Sequence, residues 1–443
     1  MKKSKTIATL IVLTSVLAST QPCRAADAGT ALTGPITLDE ALRLTREHNP
    51  RAKQAAEEVK AAEERVTVGR SGFFPQVSAR AGYRYINPVP EMSLLGGPTF
   101  KFAPNDNYDA RVTAEMMLFD FGRTGRTVDL ALSGKNAAGI RRDITVRDLS
   151  LATVRAFYSV LFLQEAVKVQ DKELAALQQN LDHMQKRYKE GAATRFDLLT
   201  TQVRLSAAGN RKIDLQTQLD NQQISLRRLC GLNNEATLRL SGAFVVSATD
   251  MSAAKLLAAA MDGRPENMLA RENVRAASYR KSLAAKEGLP KIVGSASWAT
   301  TNGYVPDIDV IRPNVAAGVE LQVPIFTGFR TSASTREAAA MVRASEQERI
   351  DTEELSKAEL KQSVNELRTS IEKIGTTTLQ VSQADLAARQ ARVRHQNGLA
   401  TTLDLLDAET ALAEAELAHL QARYEYVLNS YNVRRAAGDL ISH

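Results

Sequence analysis

Arg187-Tyr-Lys-Glu-Gly191-Ala-Ala-Thr194-Arg-Phe-Asp197-Leu-Leu199 is answered by Arg394-His-Gln-Asn-Gly398-Leu-Ala-Thr401-Thr-Leu-Asp404-Leu-Leu406. Arg187 and Arg394, Gly191 and Gly398, and Asp197 and Asp404 are all separated by 207 residues. Upstream, Phe119-Asp-Phe-Gly-Arg123 answers Phe326-Thr-Gly-Phe-Arg330 at the same offset. Further upstream, Asn49-Pro50 and Phe74-Pro75 answer Arg264-Pro265 and Leu289-Pro290 at an offset of 215. A repeat this long is a duplicated half of a domain rather than a short solenoid unit. The change of offset places a single length difference between Pro75 and Phe119. The expected organisation is a first repeat over 36–241 with a strand pair in 76–119. A linker follows over 242–252. The second repeat covers 253–438, with a strand pair in 291–326.

The first residues of this 443-residue chain read as an export signal. Met1 to Lys5 is basic, Thr6 to Ala18 is apolar, and Cys23-Arg24-Ala25 has the pattern of a cleavage site, giving a signal peptide over 1–25. The apolar run is too short to span a bilayer. Removal of Lys2, Lys3, Lys5 and Arg24 lowers the net charge from +7 to +3, so nucleic acid is not an expected partner. Cys230 is then the single cysteine. An exported chain with one thiol has no internal disulfide and must be stabilised by packing or assembly. No other stretch is apolar enough for a transmembrane helix, so any entry into a membrane is through β-strands.

Each half reads as helix, strand, strand, very long helix, long helix. Thr37-Leu-Asp-Glu40 carries a capping-box pattern opening a helix that runs through Ala55–Val68. After Pro75 the period changes from 3.6 to 2. Val77, Ala79, Ala81, Tyr83 and Tyr85 alternate with polar residues, as do Tyr108, Ala110, Val112, Ala114 and Met116. The second half repeats this with Ile292, Gly294, Ala296 and Trp298, then Val315, Ala317, Val319, Leu321 and Val323. Ile86–Asp106, rich in Pro and Gly, reads as a loop. Strands of about 10 residues with one apolar face meet the requirement of a membrane barrel, and Tyr83, Tyr85 and Trp298 suit an interfacial aromatic band. A soluble hairpin with one buried face has the same alternation.

No proline interrupts the chain from Gly122 to Lys189, roughly 100 Å of helix. Leu174, Leu177, Leu181, Met184 and Tyr188 form a coiled-coil seam on it. Leu360, Val364, Leu367, Ile371 and Ile374 do so on the matching helix over 328–396. Both helices stop at a glycine, Gly191 or Gly398, and return, so two long αα-hairpins follow. Four strands cannot close a barrel and would leave unpaired edges in lipid. Three chains would supply twelve strands above twelve helices.

These features resemble the TolC-like outer-membrane efflux proteins over essentially all of the mature sequence. The segments that carry the resemblance are Thr37-Leu-Asp-Glu-Ala-Leu, Gly72-Phe-Phe-Pro75, Phe119-Asp-Phe-Gly-Arg123 and Gly398-Leu-Ala-Thr-Thr-Leu-Asp-Leu-Leu-Asp407-Ala-Glu, in order and duplicated. The resemblance implies a mainly α fold with a β-barrel, internally duplicated. Its members are homotrimers with a 12-stranded barrel, four strands per chain, in outer-membrane lipid of a Gram-negative bacterium. The barrel continues into an α-helical coiled-coil tunnel in the periplasm, with a collar built here from 232–250 and the chain ends. It also implies a passive duct for efflux or type I secretion. Its partners would be a periplasmic adaptor (membrane fusion) protein and an inner-membrane pump or ABC transporter.

The resemblance places a selectivity gate at Asp404 and Asp407. At i and i+3 they share a helix face, and a ring of them would concentrate cations. Capping is the competing role: Thr194-x-x-Asp197 and Thr401-x-x-Asp404 are both N-cap patterns. Some relatives hold the gate shut with a Tyr and an Arg, where this chain has His395 and Ala400. His395 either makes closure pH-sensitive or is an exposed helix-end cation. Arg187 with Gly191 and Arg394 with Gly398 form the two tips where the resemblance places adaptor docking. The glycines suit a left-handed turn. The five histidines, His48, His183, His395, His419 and His443, lie far apart, and no HExxH, phosphate loop or nucleophile elbow occurs. No enzymatic role, metal or cofactor is expected. The alternative from another class is a periplasmic coiled-coil scaffold or tether without channel activity.

Overall fold

The computed structural model describes residues 35–93, 99–233, 239–246 and 263–439. The expected signal peptide, 1–25, and residues 247–252 of the expected linker lie outside them. Two helices open the chain, α1 (Leu38–His48) and α2 (Pro50–Arg70), where the sequence suggests one. The break is at Asn49, which takes φ −64° and ψ 127°. A residue before proline is driven from the helical region, and Pro50 has no N–H to continue the ladder. Asn49 then accepts from Arg51 N and donates to Leu229 O, both at 2.9 Å. Half of the expected capping box at Thr37 forms. Glu40 N donates to Thr37 Oγ1 at 3.4 Å, while the Glu40 carboxylate turns to Arg43 at 2.7 Å.

A one-turn 3-10 segment leads to β1 (Gln76–Tyr85), and β4 (Asp106–Phe119) returns. The connection expected to be a plain loop contains a small hairpin of β2 (Glu91–Ser93) and β3 (Thr99–Lys101). Thr99 and Phe100 have strand-forming side chains, and Ser93 and Thr99 close the pair through their hydroxyls at 3.0 Å. β5 (Lys291–Thr301) and β6 (Arg312–Gln322) complete an antiparallel sheet in the order β1-β4-β5-β6. The central pairing, β4 with β5, joins the two halves of the chain.

Register carries the alternation across all four strands. Ala79, Val112, Trp298 and Val315 stand in one row, and Arg80, Arg111, Ala299 and Asn314 in the next. One face is therefore apolar and the other polar. Val77, Val315 and Val319 on the apolar face are about 70% exposed, at 69%, 76% and 71%. A soluble sheet does not leave such a face bare. Tyr83 and Tyr108 stack at 5.3 Å at one end of β1 and β4. At the opposite end Phe74, Phe119, Phe121, Phe326 and Phe329 are exposed, the last four in two pairs at 4.8 Å and 5.5 Å. Aromatic residues thus flank the apolar face at both ends, as they do at two membrane interfaces.

The helices dominate the rest. α3 (Arg123–Lys189) has 67 residues and turns into α4 (Arg195–Cys230). After α5 (Pro265–Lys286), α6 (Arg330–Gln396) also has 67 residues and turns into α7 (Thr402–Ala436). Among the described residues no helix is long and apolar enough to cross a membrane. The main core lies at mid-height, where Phe157, Val160 and Ala166 of α3 meet Leu44, Leu226, Leu367, Tyr426 and Val427. Ile36 bridges Leu240 there as a short parallel contact, tying the start of the described chain to the segment after α4. Leu177, Leu181, Met184, Leu360 and Leu367 of the predicted seams are buried, whereas Tyr188 and Ile371 are exposed.

Candidate functional site: the tips of the two helical hairpins

α3 and α6 end in the same way. Ala192 N donates to Arg187 O and Leu399 N to Arg394 O, each at 2.7 Å. These are the long backbone bonds of a Schellman close, which requires a left-handed residue. Gly191 and Gly398 supply it, each at φ +73°. Arg187 and Arg394 thus contribute backbone carbonyls to the turns. Arg394 Nη2 also donates to Leu399 O at 3.3 Å.

The returning helices open on matched capping boxes. Asp197 N donates to Thr194 Oγ1 at 3.2 Å, and Thr194 N returns a bond to Asp197 Oδ2 at 3.1 Å. At the second tip the distances are 3.1 Å and 2.8 Å for Asp404 and Thr401. The threonine hydroxyl, then its backbone N–H, hold both carboxyls below the usual carboxylate range. Asp404 is exposed and Asp197 half-buried, so capping leaves the Asp404 charge facing solvent.

Asp407 does something the sequence did not reveal. Its carboxylate accepts from Arg204 of α4 at 2.6 Å, joining the first hairpin to the second. Lys172 of α3 and Glu416 of α7 approach at 3.6 Å on another side. Nothing local in the sequence pairs residues 203 positions apart, so Arg204 was missed.

A cleft of about 810 Å³ separates α3 from α6 and α7 at this level, and His183, Arg187, Arg392, His395, Gly398 and Glu409 line it. Glu409, 7% exposed, holds Arg392 at 2.7 Å within the second hairpin. His395 Nε2 is buried without a hydrogen-bond partner among the described residues. Burial, then the charges of Arg187 and His183, lower the His395 pKa. The structure therefore gathers His395, Arg187 and Gly398 around one cleft. Asp197, Asp404, Asp407, Gly191 and Arg394 stand outside it.

The fold defines a protein of long helical hairpins attached to a four-stranded piece of β-barrel with an apolar outer face. The sequence profile of the Outer membrane efflux protein family matches residues 41–232 and 256–439. The chain belongs to that family, and with it to the outer membrane, its helices extending into the periplasm. It is 25% identical over 437 residues to the outer membrane protein TolC of Salmonella enteritidis, covering 93% of this chain and 85% of the relative. It is 24% identical to the proteases secretion protein PrtF of Dickeya chrysanthemi, covering 91% and 88%. Among solved structures, the outer membrane protein VceC from Vibrio cholerae superposes with a TM-score of 0.76 at 20% identity, covering 90% of this chain and 96% of that one. The CmeC outer membrane channel of Campylobacter jejuni gives 0.80 at 15% identity, covering 91% and 85%. The fold is thus the expected one, four strands of a barrel continuous with a helical tunnel segment.

Proposed function

We propose that this chain is the outer-membrane channel of a tripartite efflux or type I secretion system. Three copies form a passive duct, fed by an inner-membrane pump or ABC transporter through a periplasmic adaptor protein. One observation carries the reading: a four-stranded sheet with a bare apolar face and two open edges is continuous with two 67-residue helices. The edges of β1 and β6 need partners in lipid, and two further copies supply them. The repeats over 36–241 and 253–438 each contribute one strand pair and one hairpin to that assembly. Asp404 lines the aperture as a cation-attracting charge. The glycine turns at residues 191 and 398 form the adaptor-docking tips. The test is current through detergent-purified protein in a planar bilayer. Discrete steps support the duct, and well-folded trimers that insert without conducting, even with adaptor added, refute it.

A further inference from the structure

The polar face of the sheet is not electrically neutral. In the row Arg80–Arg111–Ala299–Asn314, two arginines stand directly opposite each other, an arrangement that costs stability unless an anion is present. Arg84 follows on the same face of β1, one residue pair beyond Gly82 and Asp109. All three arginines are exposed. Among the described residues neither the Arg80 nor the Arg84 guanidinium has an acceptor or an ion pair. Arg111 meets Asp109 only at 3.6 Å. The remaining acids of this face are Glu115, two rows nearer the helices than Arg111 along β4, and Glu320 on β6. The row between Arg111 and Glu115 holds Ser78, Thr113, Ser297 and Ala316 and carries no charge. Arg80, Arg84 and Arg111 line a trough of about 760 Å³, with Asp109 and Glu115 as its two acids, so cations outnumber carboxylates three to two.

We propose that these arginines form an anion-binding belt inside the barrel, selecting solutes with carboxylate, sulfonate or phosphate groups. This inference rests on the duct reading. Twelve strands about 4.8 Å apart and tilted about 40° close at a backbone radius of about 12 Å. Side chains narrow the lumen further, so the Debye length of about 10 Å at 0.1 M salt reaches across it. The belt therefore acts on everything that passes. Its sign is opposite to that of Asp404 at the far end of the tunnel. A conduit with fixed charges of opposite sign at its two ends enriches carriers under one polarity and depletes them under the other, so it rectifies.

The test uses the full chain purified in detergent, with pyrenetetrasulfonate as the probe in fluorescence polarisation. Wild type should bind the dye, more weakly as salt rises. Arg80→Gln/Arg84→Gln/Arg111→Gln should lose about tenfold in affinity, while the triple Arg→Lys variant keeps most of it. In bilayers, symmetric low salt should give a current ratio of about two between polarities in wild type and near one in the Gln variant. No dye binding by wild type, or equal binding by the Gln variant, overturns the belt. Inserted trimers that pass no current even with adaptor added would instead remove the duct reading, and the dye result would still decide the belt.

Discussion

Arg204 of the first hairpin and Asp407 of the second meet at 2.6 Å, an ion pair that spans the seam between the two halves of the tip. It separates the roles of Asp404 and Asp407. Asp404 caps its own helix and keeps its charge toward solvent, whereas Asp407 has a counter-charge within the chain.

The two acids should therefore separate on substitution. Asp404→Asn is expected to shift the reversal potential in a salt gradient toward weaker cation selectivity. Asp407→Asn is expected to change selectivity less and to raise open time, since it frees the second hairpin. An exposed pair contributes about 0.2–1 kcal/mol. The swap Arg204→Asp with Asp407→Arg should restore wild-type gating. Unchanged reversal potentials in Asp404→Asn with Asp407→Asn would end the aperture assignment.

His395 predicts a pH response with a definite sign. Its folded-state pKa lies below the ordinary 6.5, so the native tip prefers the neutral ring. The contribution of the neutral ring to the stability of the tip is complete above about 6.5, falls as the pH drops through it, and is lost below the lowered folded value. Arg187 and His183 of α3 face the same ring, and Glu409 of α7 is already engaged by Arg392. Channel opening should thus rise from pH 7 to pH 5 in wild type and stay flat in His395→Phe. Identical profiles for the two proteins would remove the imidazole as the cause.

The glycine turns allow folding and docking to be separated. A Cβ at Gly191 or Gly398 meets nothing within 4 Å, so the obstacle to a side chain is backbone strain alone. At φ +73° that strain is about 1–2 kcal/mol. Ala at either position should leave trimers intact and export near normal. Glu should also leave trimers intact but abolish export, if the tips dock the adaptor. Native gel mobility and an export assay on the same strains read both effects; loss of trimers would assign the glycines to folding.

Deep in the helical bundle, Arg147 is 1% exposed and grips Glu266 at 2.6 Å. Burial alone would raise the Glu266 pKa, but the bonds and charge of Arg147 prevail and bring it down to about 2. The pair therefore stabilises the fold above the ordinary carboxyl pKa of 4.5, and the contribution disappears as pH falls toward 2. Glu266→Gln leaves a buried guanidinium with Asp148 as its remaining acid and should destabilise by about 3 kcal/mol near neutrality. Denaturation at pH 7 and pH 3 should show the difference narrowing in acid.

Cys230 is 1% exposed and its thiol is pushed up to about 11 by burial, with Thr45 donating to the sulfur at 3.9 Å. Iodoacetamide at pH 8 should leave it unmodified in native protein and label it fully in denaturant. Rapid native labelling would show that the core around α1 and α4 opens.

What the sequence determined by itself is everything with a short period. The alternation after Pro75, the unbroken helices and the Thr-x-x-Asp caps are all local regularities, written by steric preference and hydrogen bonding within a few residues, and the duplication repeats them 207 residues on. The fine breaks were also local but more easily overlooked, as at Asn49-Pro50 and in the hairpin of Met92 and Phe100. What only the tertiary structure decided is which charges meet. Arg204 finds Asp407, His395 comes to share a cleft with His183 and Arg187, and Arg80 stands opposite Arg111. Coulomb interactions depend on distance in space, and no spacing along the chain encodes that distance until helices and strands have packed.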